Sequence, residues 1–236
     1  MPASKMAPQP LAAAGVQPSG MMPRVQWHCL PFAQVPPVTL YRMLALRTRV
    51  FVVEQACIYQ DLDGLDFDAW LVIGTLPVNS SSSKHRAPGP AAGADVASDL
   101  DAGADAGADV GAGADVDADV VANADADADA EVVATARLLA PGRRFPEASI
   151  GRVCTSPAHR RHGLGRSLMD FSIRSVRHHH PGSAVRISAQ AYLQSFYESF
   201  GFKVESEPYL EDAIPHLEMR LARGPAADTP AQGRTR

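Results

Sequence analysis

Between residues 24 and 222 the apolar positions follow two interleaved periods, and the switches between them mark out a series of strands and helices. "RVQWHCL" (24–30) reads as a short strand closed by Pro31, and "TLYRMLALRTRVF" then spaces Leu40, Met43, Leu44 and Phe51 as on one helix face. "AWLVIGTL" (69–76) and "EVVATARLL" (131–139) are β-rich runs, and "SIGRVCTS" is a third. A loop, "PAHRRHGLG", leads into the helix "RSLMDFSIRSVRHH", where Leu164, Leu168, Phe171, Ile173 and Val176 form a broad apolar face and Pro181 and Gly182 end the run. "AVRISAQ" alternates Val185, Ile187 and Ala189 against Arg186, Ser188 and Gln190, the pattern of a half-buried strand. "LQSFYESFGF" is a short helix stopped at Gly201, and "HLEMRLA" puts Leu217, Met219 and Leu221 on one face of a last strand. Strands alternating with helices predict a mixed three-layer α/β domain.

The two β-rich runs 69–76 and 131–139 are separated by a stretch of a different kind. Residues 78–130 open with a Ser, Pro and Gly cluster and continue as a near-repeat of Ala and Asp without the apolar volume for a core. The repeat lacks the G-G-x-G-x-D nonapeptide that winds around calcium, so it reads as an extended, disordered acidic insertion. Lengthening a hairpin loop from two to about 50 residues costs roughly 3 kcal/mol, which a core of this size absorbs. The expectation is therefore one domain, 24–222, in which the flanking runs pair as a hairpin across the insertion, with a disordered leader at 1–23 and a disordered tail at 223–236. Met21 or Met22 is an alternative start.

Charge changes the picture further. Twelve of the chain's 26 acidic residues lie between Ala87 and Glu131, with none of its 22 basic ones, so the net charge of -4 hides a remainder of +8. A basic body favours polyanionic ligands, either the phosphates of a nucleotide or a nucleic acid. Aromatic residues do not interleave with the basic ones as in a nucleic-acid module, so no nucleic-acid partner is expected. Cys29, Cys57 and Cys154 are odd in number and contain no C-x-x-C pair, which suits a reduced, cytoplasmic setting. No apolar run approaches the roughly 18 to 20 residues that cross a bilayer, and the stretch 11–16 is too short for a secretory signal, so no membrane association is expected.

The segment richest in chemistry is strand, "RRHGLG", helix. Gly163 and Gly165 let backbone amides converge where a helix begins, which is how a turn binds phosphate, while Arg160, Arg161 and Arg166 add charge around it. It is not a nucleotide P-loop, since no Gly-Lys-Ser/Thr follows, and Leu168 stands where a dinucleotide fingerprint needs its third glycine. The hexamer alone fits a left-handed surface turn as well as a diphosphate site.

With its surroundings the segment resembles the GNAT superfamily of acetyl-CoA-dependent N-acetyltransferases. The resemblance rests on R-x-x-G-x-G at 160–165 and on "AYLQSFYESFGF" downstream. "RTRVFVVEQ", "YQDLDGLD", "IGRVCTSPAHR", "AQAYLQSFYESFGF" and "EDAIPHLEMR" are similar, in order, to the ElaA-like branch. Residues 78–130 and the leader have no counterpart in that pattern. The resemblance implies a GNAT-type three-layer fold whose mixed β-sheet is centrally splayed and flanked by helices. It implies acetyl-CoA as co-substrate, with its pyrophosphate on Arg160, Arg161, His162, Gly163, Leu164, Gly165 and Arg166. Its pantetheine arm would run along Val153, Cys154 and Thr155, beside a gap opened against the parallel strand 185–190. A primary amine, of a small molecule or a protein, would attack the thioester directly, without metal, in a monomer or homodimer.

The resemblance makes Tyr197 the donor of a proton to the departing thiolate, although Tyr197 also fits as an aromatic anchor of its helix beside Phe196 and Phe200. Glu54 is the candidate base, and equally an ordinary carboxylate at a helix end. Phe51, Gln55, Gln190 and His216 are expected on the substrate side, although His216 fits a structural role in its strand equally well. Asp63 and Asp66 join them as residues that would attract a cationic amine, while Asx turns explain the same spacing. The calcium-loop glycine and glutamate positions are not met in "QDLDGLD". Cys154 reads as a small buried hydrophobe. His178, His179 and His180 read as a charged helix end rather than a metal site. A second class of function stays open, a non-catalytic CoA-binding module whose acidic tract recruits a basic partner.

Overall fold

The structure, a computed structural model, describes residues 24–77 and 130–224. The expected leader, nearly all of the acidic insertion and most of the tail lie outside the described residues. The elements run β1 (Gln26–Pro31), α1 (Pro37–Arg47), β2 (Trp70–Leu76), β3 (Glu131–Leu139), β4 (Ala148–Thr155), α2 (Leu164–His179), β5 (Val185–Gln190), α3 (Gln194–Glu198), β6 (Lys203–Val204), β7 (Tyr209–Glu211) and β8 (Ile214–Leu221). One open sheet carries the order β1-β2-β3-β4-β5-β8-β6, with β7 also paired to β8. All neighbours are antiparallel except β4 and β5. The runs flanking the insertion pair as β2 and β3, from Trp70 opposite Leu138 to Leu76 opposite Glu131.

Both faces of the sheet are covered, which is why its central strands read as near-continuous apolar runs. Val72, Val133, Leu138 and Ile187 pack with Leu168, Met169 and Val176 of α2 on one face. Leu71, Ile73, Val132 and Leu139 pack with Met43, Leu46 and Val50 on the other. The apolar face expected for α2 is the buried one, with Phe171 only half-buried at its edge.

The helix expected through Phe51 changes character before it gets there. α1 ends at Arg47 and continues as a π-helical turn over Thr48–Glu54, closed by the Gln55 amide donating to the Val50 carbonyl at 3.2 Å. The buried stripe is Met43, Leu46, Arg47 and Val50, at i, i+3, i+4 and i+7, while Leu40 and Leu44 are only half-buried at its edge. β6 and β7, two and three residues long, carry too few positions to show a period and were not expected.

The histidine run also departs from expectation. His179 stacks on Trp70 with ring centroids 3.6 Å apart. Burial, reinforced by the neighbouring histidines, lowers its pKa to about 4, so this ring is neutral rather than a charge at the helix end.

Candidate active site

β4 and β5 pair in parallel at only two positions, Ala148 with Val185 and Ser149 with Arg186, and then part. The cause lies on the other edge of β4. Its register against β3 slips between Thr135 and Arg137, and Arg152 takes a left-handed φ of 52°, so β4 bulges and bends. The opened space is a cavity of about 150 Å³. Val153, Cys154 and Thr155 line it from β4, and Ile187, Ser188 and Gln190 from β5. Phe51, Glu54 and Gln55 reach it from the π turn, Tyr197 from α3 and His216 from β8. Ten residues expected at a site thus come together: Phe51, Glu54, Gln55, Val153, Cys154, Thr155, Arg160, Gln190, Tyr197 and His216.

Tyr197 is 6% exposed and its ring packs edge-on against Phe196 and Phe202, as an aromatic anchor does, while it also lines the cavity. Burial raises its pKa, which keeps the hydroxyl protonated at neutral pH. Gln190 accepts from Tyr192 and donates to Gln55 at 3.2 Å, tying β5 to the π turn. Cys154 is buried, and burial pushes its thiol up to about 12, which suits packing and not nucleophilic chemistry.

Two expectations need correction. Glu54 is not the open carboxylate of an ordinary helix end: it lines the cavity, and both of its oxygens accept from the Arg160 guanidinium, at 2.6 and 3.1 Å. Asp63 and Asp66 do not line the cavity. They lie behind it in a buried network, where Arg47 binds Asp61 and Asp66, Arg137 binds Asp63, and Arg152 reaches both Asp61 and Asp63. Carboxylates this deeply desolvated need fixed positive partners, and three arginines from α1, β3 and β4 supply them. Leu164 buries its side chain in the core, which agrees with a turn that would present backbone amides rather than side chains to a ligand.

Arg161, His162, Gly163, Gly165 and Arg166 lie beyond the cavity wall, in the turn that starts α2. Arg161 and Gly163 both take left-handed φ, 70° and 69°, and no side chain caps the helix. A Cβ on Gly163 would meet nothing within 4 Å, so the φ and not space is what requires glycine there. The first-turn amides of α2 lack intrahelical acceptors, and its first turn carries no acidic residue. Arg166 donates to Ser199 and lies over the Phe200 ring.

Residues that the sequence reading passed over complete the walls. Arg144 donates to Glu211 at 2.9 Å, Ser188 donates to the other oxygen of Glu211 at 2.7 Å, and Ser188 also bonds Tyr209. Only Ser188 had a usable signal, since strand alternation puts it on the same face as Gln190.

Comparison with known proteins bears on what this arrangement is. The family model of the GNAT acetyltransferase domain matches residues 122–223. Protein ElaA of Escherichia coli is 32% identical over 195 residues, which cover 83% of this chain and 95% of that protein. The chain belongs to the GNAT acetyltransferase family. Within it, the ElaA-like branch is supported by structure too, since the crystal structure of E. coli ElaA has a TM-score of 0.57 at 30% identity, covering 84% of this chain and 99% of that one. A solved acyl-CoA N-acyltransferase from Pseudomonas aeruginosa is similar at 31% identity and a TM-score of 0.59, covering 84% of this chain and all of its own. This GNAT protein is accordingly an acyltransferase of a family whose co-substrate is an acyl-CoA, and the parted β4 and β5 are the splayed centre expected of its sheet.

Proposed function

We propose that this chain transfers an acetyl group from acetyl-CoA to a primary amine, of a small molecule or a protein, by direct attack within a ternary complex. The observation that carries the reading is the cavity between β4 and β5, lined by a buried, protonated tyrosine and by an edge of β4 that β5 does not pair. Backbone groups of Val153, Cys154 and Thr155 along that edge hydrogen-bond the pantetheine amides. The first-turn amides of α2, with Arg161 and Arg166 beside them, hold the pyrophosphate. Tyr197 gives its proton to the departing thiolate, and no metal takes part. Residues 24–222 form one domain interrupted at 78–130, and the setting is cytoplasmic.

Acetyl-CoA at a hundred times its Kd should stabilise the protein by about 2.7 kcal/mol, a Tm rise of roughly 5 to 11 °C. A panel of primary amines should then release free CoA thiol. Absence of a Tm shift at saturating acetyl-CoA would sink the reading, and a shift without thiol release from any amine would leave only a binding module.

The Glu54–Arg160 pair makes a separable prediction. Arg160→Ala leaves an unpaired carboxylate near the expected phosphate path and should weaken acetyl-CoA by about 10- to 100-fold, in line with the loss of a charge-assisted hydrogen bond. Glu54→Gln should keep turnover within about tenfold of the parent, since the carboxylate serves Arg160 rather than the amine. Calorimetric titration and the thiol assay measure the two, and a collapse of turnover in Glu54→Gln with intact binding would return Glu54 to the role of base.

A further inference from the structure

An amine reaches the thioester mostly as an ammonium and has to lose a proton before it can attack. Most groups able to accept that proton are already engaged. Both oxygens of Glu54 are on Arg160, and those of Glu211 are on Arg144 and Ser188. Asp61, Asp63 and Asp66 belong to the arginine network. Asp212 is exposed on the β7–β8 turn, where water competes for its oxygens.

His216 differs from all of these. It is opposite Gln190 on β5 and opposite Tyr209 on β7, so its side chain shares their face of the sheet, and it lines the cavity. Its ring stacks on Tyr209 with centroids 6.2 Å apart. Its Nδ1 lies 2.8 Å from the Ile214 carbonyl oxygen. A carbonyl only accepts, so Nδ1 must carry a hydrogen, and in the neutral imidazole the lone pair is then on Nε2. Among the described residues no group hydrogen-bonds Nε2. The tautomer, the ring plane and the strand position are thus fixed by separate contacts, and the one basic atom is left for a ligand.

The geometry points to His216 Nε2 as the base that takes the first proton from the acceptor ammonium, an assignment that rests on the amine-acetylation reading above. Nε2 removes one proton and the freed nitrogen lone pair attacks the thioester carbonyl carbon. The N–C bond forms as the C–S bond breaks, and its electron pair leaves on sulfur, which takes the hydroxyl proton of Tyr197. The second nitrogen-borne proton restores Tyr197, so one proton in total leaves through His216, as conversion of an ammonium to an amide and a thiol requires.

His216→Asn is the clean variant, because the Asn amide can still donate to the Ile214 carbonyl but offers no basic nitrogen. With the best primary alkylamine from the thiol-release screen, kcat/KM should fall by about 10²- to 10⁴-fold while the Kd of acetyl-CoA stays unchanged. With the β,β-difluoro analogue of that amine, which arrives largely unprotonated, the defect should be at least tenfold smaller. Turnover of the alkylamine within threefold of the parent overturns the assignment, as does an equal defect on both amines, the mark of a merely structural role. Should the Asn variant fail to fold, His216→Ala with added imidazole replaces it: restored turnover supports the base, and its absence overturns it. A parent protein that acetylates no amine at all would overturn the acetylation reading and this assignment together.

Discussion

Replacing Arg47 with alanine should destabilise the protein by about 3 to 5 kcal/mol, the cost typical of removing one partner from a buried ion pair. Arg47 is 1% exposed and holds Asp61 through Nε at 2.9 Å, Asp66 through Nη1 at 2.8 Å and the Asp61 carbonyl through Nη2 at 3.1 Å. Its loss leaves two carboxylates, each 5% exposed, with one arginine apiece, Asp61 with Arg152 at 2.7 Å and Asp66 with Arg137 at 3.3 Å. For a domain of this size the expected fall in Tm is roughly 6 to 20 °C, readable by calorimetry. Arg47→Lys should recover little, since one ammonium cannot span both aspartates. Adding Asp61→Asn and Asp66→Asn to the alanine variant should recover part of the loss by removing buried negative charge that Arg47 no longer neutralises. A fall of less than 1 kcal/mol in Arg47→Ala would show that the network does not hold the loop and α1 together. Acid should weaken the same network. Burial opposes ionisation of Asp63, but hydrogen bonds from Arg137 and the Leu65 amide, and the charges of Arg137 and Arg152, outweigh it and hold its carboxyl at about 2. A carboxyl lowered on folding stabilises above its unfolded pKa of about 4, and that share is lost as pH falls toward 2.

Tyr197→Phe tests the chemistry as directly as Arg47→Ala tests the scaffold. The ring packs against Phe196 and Phe202, which phenylalanine reproduces, and the hydroxyl has no protein hydrogen bond among the described residues. Stability should therefore change by less than about 1 kcal/mol. Turnover should fall by about 10²- to 10⁴-fold, the usual contribution of a positioned general acid, with the Kd of acetyl-CoA within a few-fold. Stopped-flow or steady-state detection of CoA thiol measures it, and thermal melts control for folding. Turnover within fivefold of the parent would refute Tyr197 as proton donor. A large loss of both stability and binding would instead return it to the role of aromatic anchor.

How much of this was legible in advance depended on the range of the interactions. The pairing of β2 with β3 was readable across the insertion because both runs carry their own β period and apolar density. The turn before α2 was readable because positive φ and helix-start amides are local properties that glycine spacing reports. Tyr197, Gln190, Gln55, His216 and Phe51 reached the cavity wall as the ordered resemblance implied. Asp63 and Asp66 did not, because an aspartate's spacing says nothing about which arginine it meets. Arg47, Arg137 and Arg152 stand 15 or more positions apart in the chain. The pairing of Glu54 was illegible for the same reason, its partner Arg160 being 106 residues away.

The sequence by itself determined the class of fold, the pairing of the two runs that flank residues 78–130, the glycine turn before α2 and the family resemblance, all of which rest on periodicity, local backbone freedom or ordered motifs. Only the tertiary structure decided which charges are consumed. It tied Glu54 to Arg160, withdrew three aspartates into a buried arginine network, and fixed the His216 tautomer against the Ile214 carbonyl, leaving the ring's lone pair on Nε2. Charge neutralisation and hydrogen-bond direction are set by neighbours distant in the chain, and chain order carries no record of them.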